Sequence, residues 1–285
     1  MSKHVLCVVS EHGFWAQELL LPVDRLESAG VTVHFATPTG AQPLPDAGSL
    51  DSSYVDPPLG RPVTSPEMGE RARTTDWETY FKDRQSLADL MPVRPYLSAG
   101  NYIAAMEEYY DKRQAAWDAI VARYDALLLV GGSGPIVDMV NNPRVHDLIL
   151  GFHTEEKLIA AECYAVTCLA LARELDDRRP IIEGRHVTGH TMEYDYTAGW
   201  AVTANGAPLV FGAPPFALEY ILRDAVGPHG RFHGNVGHKL SVVLDHPFLT
   251  SRSVGESDLC GEVMVRALKE DLRVYGWQPA LEFVR

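Results

Sequence analysis

The chain has 285 residues, 46% of them hydrophobic, and a formal net charge of −13 at pH 7. This composition suits one globular domain with an insertion, and the acidic balance argues against a nucleic-acid partner because phosphates would be repelled. No apolar run reaches the roughly 20 residues that a membrane helix needs, and the opening residues lack a signal-peptide layout, so we expect no membrane partner and a cytoplasmic protein.

The first elements alternate between strand and helix. An apolar run predicts a buried strand over His4–Ser10, periodic apolar residues predict a helix over Trp15–Ala29, and a second strand follows over Val31–Ala36. This order is typical of a parallel βαβ unit with a right-handed crossover. From Ala41 to Leu97, prolines and glycines interrupt the pattern. We interpret residues 41–97 as an insertion that forms a cap.

The alternation resumes after the insertion. The patterns predict helices and strands in the order helix Tyr102–Ala122, strand Ala126–Val130, a helix up to Leu150, strand Lys157–Glu162, a helix up to Leu175, strand His186–Thr188, helix Pro215–Asp224, strand Lys239–Leu244 and helix Gly261–Leu272. The fold class that follows is α/β, a three-layer α/β/α sandwich around a mainly parallel sheet, with residues 1–285 in a single domain.

The segment around Cys163 is the most informative for function. A buried strand is predicted to end at Glu162 and to give way to a helix at Cys163. This is the layout of a nucleophile elbow, a sharp turn that presents a side chain above the sheet. The dipole and free N–H groups of a helix N-terminus would lower the pKa of the Cys163 thiol and favour the thiolate. The alternative is that Cys163 is an ordinary buried apolar residue.

A glycine-rich turn follows the preceding strand of the predicted sheet. It reads Gly131-Gly132-Ser133-Gly134 and comes directly after Val130. In an open α/β sheet, ligands bind beyond the carboxyl ends of the strands, so this turn and Cys163 are expected to lie close together. Backbone N–H groups of Gly131 and Gly132 could then stabilise an oxyanion, although a glycine pair at a strand end is often only a turn.

These motifs resemble the ThiJ/PfpI superfamily, in particular the branch of thirty-one-kilodalton heat-shock chaperones and cofactor-free glyoxalase III enzymes. The resemblance covers nearly the whole chain and rests on Gly13, Glu18, Pro22, Thr37-Pro38-Thr39-Gly40, Gly131-Gly132-Ser133-Gly134 with Asp138, Asn142-Pro143, Ala160-Ala161-Glu162-Cys163, Val187-Thr188-Gly189 and Pro215-Phe216-Ala217-Leu218-Glu219. It implies a flavodoxin-like, class I glutamine amidotransferase-like fold and a homodimer.

Residue by residue, the resemblance implies that Cys163 is the nucleophile and that Glu18 is the acid that hydrogen-bonds or shares a proton with its thiol. Backbone amides near Gly132, Ser133 and Tyr164 would line the oxyanion site. The residues themselves agree, because a glutamate early in an apolar helix is costly unless it has a partner. The alternative for Glu18 is a solvated position on the helix surface.

Two positions depart from the family pattern. The histidine that directly follows the cysteine in the family is Tyr164 here, and the histidine of the glycine turn is Ser133. His190 stands where relatives in the superfamily's small single-domain branch carry an active-site histidine. It is therefore a candidate base for Cys163, and the alternative is a surface histidine.

Acidic and aromatic residues near the motifs have several interpretations. Glu162, directly before the nucleophile, could hold a substrate or, by like-charge repulsion with Glu18, keep one of the two acids protonated. Equally, it could point behind the sheet into a salt bridge. Two further acidic residues, Glu193 and Asp195, are candidates for orienting a base, and the alternative is that they are surface charges. Three aromatic residues are candidates for a pocket wall, and the alternative is core packing: Tyr194, Tyr196 and Trp200.

We expect no metal and no cofactor. The histidines do not match the set of two histidines and an acid that some relatives use for a metal, and the sequence has no nucleotide-binding glycine motif. The leading hypothesis is a cysteine enzyme acting on a small electrophilic molecule, either glyoxalase III-like or a hydratase or lyase. The alternatives are a holdase-type stress chaperone without essential chemistry, and an amidase or peptidase, which the missing adjacent histidine disfavours.

Overall fold

The computed structural model describes residues 2–56, 60–174, 176–192, 200–204, 207–211, 217–234 and 241–278. The strands within these residues are β1 (His4–Val8), β2 (Thr32–Thr37), β3 (Val55–Asp56), β4 (Arg61–Pro62), β5 (Gln85–Ser86), β6 (Ala126–Leu129), β7 (Leu158–Glu162), β8 (His186–Val187), β9 (Trp200–Ala204), β10 (Ala207–Phe211), β11 (Arg231–Phe232), β12 (Val242–Asp245), β13 (Phe248–Ser251) and β14 (Val274–Tyr275).

The described helices lie between these strands. They are α1 (Ala16–Ser28), α2 (Pro66–Thr74), α3 (Trp77–Tyr80), α4 (Leu87–Leu90), α5 (Tyr102–Ile120), α6 (Pro135–Asp138), α7 (Pro143–Thr154), α8 (Thr167–Leu171), α9 (Leu218–Val226) and α10 (Ser257–Glu270). Short 3-10 helices cover Ala47–Leu50, Cys163–Val166 and Val254–Glu256.

The main sheet has the strand order β14-β12-β13-β7-β6-β1-β2-β5. The pairs from β13 through β7, β6, β1 and β2 to β5 are parallel, whereas β12 is antiparallel to both of its neighbours. Separate two-stranded pairs form from β9 with β10, β8 with β11, and β3 with β4. The predicted α/β fold around a mainly parallel sheet is therefore confirmed.

Both faces of the sheet are covered, which explains why its central strands are apolar throughout. In β1, Leu6 and Val8 pack into one core with α7 and α8, while Val5 and Cys7 pack into the other with α1 and α10. The helices α1 and α10 approach closely at Gly261, where a side-chain carbon would lie 2.7 Å from the Cα atom of Pro22. A larger residue there would push the two helices apart.

The predicted insertion, residues 41–97, contributes short elements to one edge of the molecule. Its strand β5 pairs with β2. The ring centroids of Trp77 and Phe81 lie 5.1 and 5.6 Å from that of Phe14. The 3-10 helix Ala47–Leu50 begins at Asp46, whose side chain accepts a hydrogen bond from the N–H of Gly48. That this segment acts as a cap stays a prediction.

Several predicted elements differ from the structure. The single helix expected up to Leu150 is two helices, because Asn142-Pro143 starts α7 anew, with the Asn142 side chain accepting from the N–H of Arg144. The helix expected to reach Leu175 ends at Leu171. Strand β13 and the pair β9–β10 were not predicted. The predicted starts at Pro215 and Lys239 lie outside the described residues. No helix in the described part of the chain combines the length and apolarity needed to cross a membrane.

Candidate functional site

The carboxyl end of β7 forms a sharp turn at Cys163, which we call the elbow (Glu162–Tyr164). Cys163 has φ +53°, an unusual value for a residue other than glycine, and it opens the 3-10 helix that leads into α8. Backbone strain of this kind costs of the order of 1 kcal/mol and persists only where the surroundings enforce it. Cys163 is 6% exposed, whereas Cys7, Cys168 and Cys260 are fully buried.

Two backbone N–H groups point at the Cys163 sulfur, those of Gly132 and Tyr164, and each lowers the pKa of the thiol. The glycine turn is hydrogen-bonded to the residue before α1, because the N–H of Trp15 donates to the carbonyl of Gly131 at 3.2 Å. Gly132 has φ +99°, a conformation that favours glycine. The arrangement can stabilise negative charge on the sulfur or on an oxygen bound next to it.

The carboxyl group of Glu18 completes the immediate surroundings of the sulfur. Glu18 lies in the first turn of α1, is fully buried, and hydrogen-bonds with the Cys163 thiol. Neither of its oxygens has another hydrogen-bond partner among the described residues. Burial holds the pKa of Glu18 well above its ordinary value, and a negative charge on Glu162 raises it further, so both effects favour the acid form of Glu18.

The prediction that the helix N-terminus lowers the pKa of Cys163 is wrong for the net shift. Burial raises the pKa of this thiol well above its ordinary value, and a negative charge on Glu18 raises it further. The two N–H groups oppose this rise but do not outweigh it. The surroundings therefore favour the protonated forms of both the Cys163 thiol and the Glu18 carboxyl, rather than a free thiolate beside a helix dipole.

Gly131 provides the space that this pair occupies. A side-chain carbon at position 131 would lie 2.6 Å from both the Cβ atom of Cys163 and the carbonyl oxygen of Glu162, and would also overlap Glu18. Gly131 therefore belongs to the site because it has no side chain, and its predicted role in an oxyanion site stays a prediction.

Ser133 uses its side chain to contact the insertion. Its Oγ donates to Oδ2 of Asp46 at 3.1 Å, and Asp46 also accepts from the N–H of Gly48 at 3.0 Å. Burial raises the pKa of Asp46. Asp46 is not among the predicted site residues, and its position before Ala47-Gly48-Ser49, as a helix N-cap, is the sequence signal that could have identified it.

The rings of Tyr164 and His190 stack on each other. Their ring centroids are 3.9 Å apart with an angle of 28° between the planes. Tyr164 packs with Cys163, Ile136 and Leu218 in one small cluster, and both rings are at least 90% buried. The structure thus buries His190 against Tyr164, the residue that follows Cys163, rather than at the surface. Its role as a base remains a proposal.

Glu162 is the last residue of β7 and directly precedes Cys163. Its side chain is fully buried on the α1 and α10 side of the sheet, where Oε2 accepts from Oγ of Ser251 at 2.9 Å. It makes no ion pair with any residue in the described ranges. Burial raises the pKa of Glu162 to about 8, against the lowering effect of the Ser257 and Ser251 hydroxyls. A carboxyl with no exposed surface is unsuited to contact a substrate, so this placement favours the interpretation in which it acts on Glu18.

The remaining candidates concern a metal site and a pocket wall. Within the described ranges, no group of three or more histidine, cysteine, aspartate or glutamate side chains is arranged to hold a metal ion. Glu193, Tyr194, Asp195 and Tyr196 lie outside the described residues, as does the side chain of Trp200.

Comparisons with known proteins agree with this geometry. The sequence model of a family described as ThiJ/PfpI family-like matches residues 9–198. A curated relative, glutamine amidotransferase-like class 1 domain-containing protein 1 of Bos taurus, is 29% identical over 138 residues. That stretch is 48% of this chain and 56% of the bovine protein, so the match spans little more than half of the relative.

Solved structures share the fold at low sequence identity. Glyoxalase III from Candida albicans superposes with a TM-score of 0.64 at 14% identity, covering 93% of this chain and 97% of that one. Rapid Encystment Protein 24 KDa of Francisella tularensis gives 0.65 at 18% identity, covering 93% and 99%. At these identities the likeness concerns the fold alone.

Proposed function

This chain belongs to the ThiJ/PfpI-like family, and we propose that it is a cysteine-dependent enzyme that acts on a small electrophilic molecule without a cofactor. One observation carries the proposal. Cys163 is held at φ +53° with two backbone N–H groups and a buried carboxyl directed at its sulfur. A cysteine that only filled the core would need none of these features.

The proposed reaction begins with addition of the thiol to an aldehyde of a 2-oxoaldehyde. The S–C bond forms, the carbonyl π bond breaks, and the oxygen takes a proton to give a hemithioacetal. His190 then removes the proton on that carbon, and a proton returns to the neighbouring carbon, which gives a thioester of a 2-hydroxy acid. Water cleaves the thioester and restores the thiol, so the sum is oxoaldehyde plus water to hydroxy acid.

The side chains of this chain fit these steps. Protonated Glu18 donates to the sulfur or to the new hydroxyl, since its raised pKa keeps a proton available. The N–H groups of Gly132 and Tyr164 stabilise the negative charge that develops on the oxygen of the carbon bound to sulfur. In the hydratase or lyase variant of the proposal, the same sulfur adds to a different electrophile and water completes the reaction.

The test is turnover of methylglyoxal, followed by NMR detection of the hydroxy acid, with a simple nitrile as the substrate for the hydratase variant. Cys163→Ser should abolish turnover. Cys168→Ser is the matched control, because Cys168 is also buried and lies one helix turn further along. Full activity in Cys163→Ser would refute the proposal. Loss of activity in both variants would point to misfolding, which circular dichroism would show.

A second candidate, a holdase-type chaperone, has an observation of its own. Four large apolar side chains lie exposed where the insertion ends and α5 begins, with exposed fractions of 61–79%: Val93, Tyr96, Leu97 and Ile103. An exposed apolar patch of this kind can bind unfolded chains. If this function holds, suppression of citrate synthase aggregation should survive Cys163→Ser and be lost in Leu97→Ser. The homodimer implied by the family resemblance stays a prediction.

A further inference from the structure

Glu162 is the buried group that the proposed reaction does not use. It directly precedes the nucleophile, and its register on β7 places it opposite Ser251 of β13. Ser251 donates to its Oε2 at 2.9 Å, while Oε1 has no partner among the described residues. Its carboxyl thus lies behind the elbow on the same side of the sheet as α1, which carries Glu18.

The charges around the two carboxyls are almost all negative. Glu256 acts on both from the 3-10 helix before α10, and it is itself paired with the buried Arg252 at 2.6 Å. Asp46 faces Glu18 from the insertion, and the thiols facing the pair are Cys7 on β1, Cys163 on the elbow and Cys260 on α10. Neither Glu18 nor Glu162 forms an ion pair with a described residue, so two negative charges there would be uncompensated.

The hydrogen bonds distinguish the two carboxyls. A carboxylate is stabilised by donors, and Glu162 has the Ser251 hydroxyl as a donor with the Ser257 hydroxyl beside it. Glu18 has only the Cys163 thiol, a weak donor. The first negative charge that this group accepts is therefore more stable on Glu162 than on Glu18.

We propose that Glu162 is a positioning residue that takes this first negative charge and thereby keeps the carboxyl of Glu18 in its acid form beside Cys163. The proposal rests on the proposed function, since it explains how Glu18 remains a proton donor while the sulfur becomes negative. The Cys163 proton then passes by way of His190 to the oxygen of the hemithioacetal, which leaves His190 free to act as the base, and Glu18 does not compete for that proton. The neighbouring like charge is the largest contribution, after burial, to the raised pKa of Glu18.

Infrared spectroscopy of the full chain tests this assignment without any substrate. The C=O stretch of a protonated carboxyl is assigned to Glu18 by its loss in Glu18→Gln, and it is then followed during a pH titration. In wild type we expect the Glu18 band to persist above the pH at which Glu162 ionises. In Glu162→Gln, the band should disappear at a pH about 1 unit lower or more, because the like charge is gone.

Two further variants keep the test decisive. Glu262→Gln removes an exposed carboxyl from α10 and should leave the Glu18 band unchanged. If Glu162→Gln does not fold, Ser251→Ala replaces it. That variant keeps the charge but removes its hydrogen-bond donor, and it should shift the band in the same direction by a smaller amount. An unchanged or upward titration midpoint in the folded variant overturns the proposal.

Alkylation separates this inference from the proposed function. If Glu162 acts as we propose, Glu162→Gln raises the pH needed for alkylation of Cys163, because Glu18 ionises earlier and repels the thiolate. The effect should vanish in the Glu18→Gln background, whereas mere structural damage would persist there. If wild-type Cys163 reacts no faster than the other cysteines, the proposed function fails, and the infrared titration still decides the role of Glu162.

Discussion

Two groups of buried titratable side chains in this molecule respond to burial in opposite directions. At the elbow, burial raises the pKa of Glu162 to about 8. At the small β8–β11 sheet, burial lowers the pKa of His233 to about 4, and a hydrogen bond of 2.9 Å joins its Nε2 atom to Nδ1 of His186. In both places the protein favours the neutral form, as a low-dielectric interior must.

The difference between the two groups lies in what surrounds them. The ring of His186 stacks on Trp277 with centroids 3.9 Å apart, and its backbone N–H donates to Asp245 at 2.9 Å. That region is regular strand, and its two histidine rings share one hydrogen bond, while Nδ1 of His233 has no partner among the described residues. The elbow combines a strained residue, two N–H groups directed at one sulfur, and carboxyl oxygens that lack partners among the described residues. Perturbed pKa values alone do not mark a reactive site; their combination with such geometry does.

The difference between the two regions is tested most directly by substituting one histidine in each of them. His190→Gln should lower kcat about 100-fold or more, because a general base contributes at least this factor. His233→Gln should leave kcat within about twofold. Steady-state kinetics with methylglyoxal measures both. Equal losses in the two variants would mean that His190 has no special part in the reaction.

A methyl group added at the glycine turn should lower the free energy of unfolding more than a methyl group added on the surface. Gly131→Ala forces a carbon against Glu18, Cys163 and the Glu162 carbonyl, and we expect a loss of about 3 kcal/mol in the free energy of unfolding. Gly100→Ala, where the new carbon meets open space, should change it by less than about 0.5 kcal/mol. Urea denaturation measures both, and a tolerated Gly131→Ala would contradict the described packing.

The two regions should also give stability curves with opposite pH slopes. The folded-state pKa of Glu162 lies above its ordinary value of 4.5, so the stability that this group contributes is present at low pH and is lost as the pH rises towards 8. Glu162→Gln should therefore gain stability relative to wild type over that interval, by roughly 3 to 4 kcal/mol between pH 5 and pH 8. Denaturation at pH 5 and pH 8 gives the answer, and a constant difference would refute the placement of the charge.

The histidine pair should act on the acid side, with a smaller effect. The folded-state pKa of His233 lies below its ordinary value of 6.5, so its contribution is present above that pH and is lost as the pH falls towards 4. We expect wild type to lose about 1 kcal/mol more than His233→Gln between pH 6.5 and pH 4. Parallel denaturation curves for the two proteins across this interval would contradict this assignment.

The sequence patterns predicted the fold better than the site because they report local burial. Continuous apolar runs such as Ala126–Val130 identified the central strands, and glycines and prolines marked most helix ends. The strand β13 escaped prediction, since Phe248–Ser251 is short and half polar. Because β13 was not predicted, nothing in the sequence indicated that Ser251 lies beside Glu162. The sequence therefore could not decide which side of the sheet the Glu162 carboxyl faces.

The surroundings of Cys163 show a second limit of prediction from sequence. Cys163 and Glu18 were found from motifs, and the turn at Cys163 followed from the strand that precedes it. The direction of the thiol pKa did not follow, because it depends on how completely α1, the glycine turn and Tyr164 enclose the sulfur. A helix N-terminus is visible in a sequence, but the burial that outweighs it comes from residues distant along the chain.

The most direct test of the central claim is the rate at which iodoacetamide modifies each cysteine of the folded protein, read by mass spectrometry of its peptides. Cys7, Cys168 and Cys260 are fully buried and lie in regular strands and helices, so their modification reports unfolding of the protein. We predict that Cys163 is modified selectively, with a rate that rises with pH, while the other three react only after unfolding. Equal protection of all four cysteines in the folded protein would contradict the account.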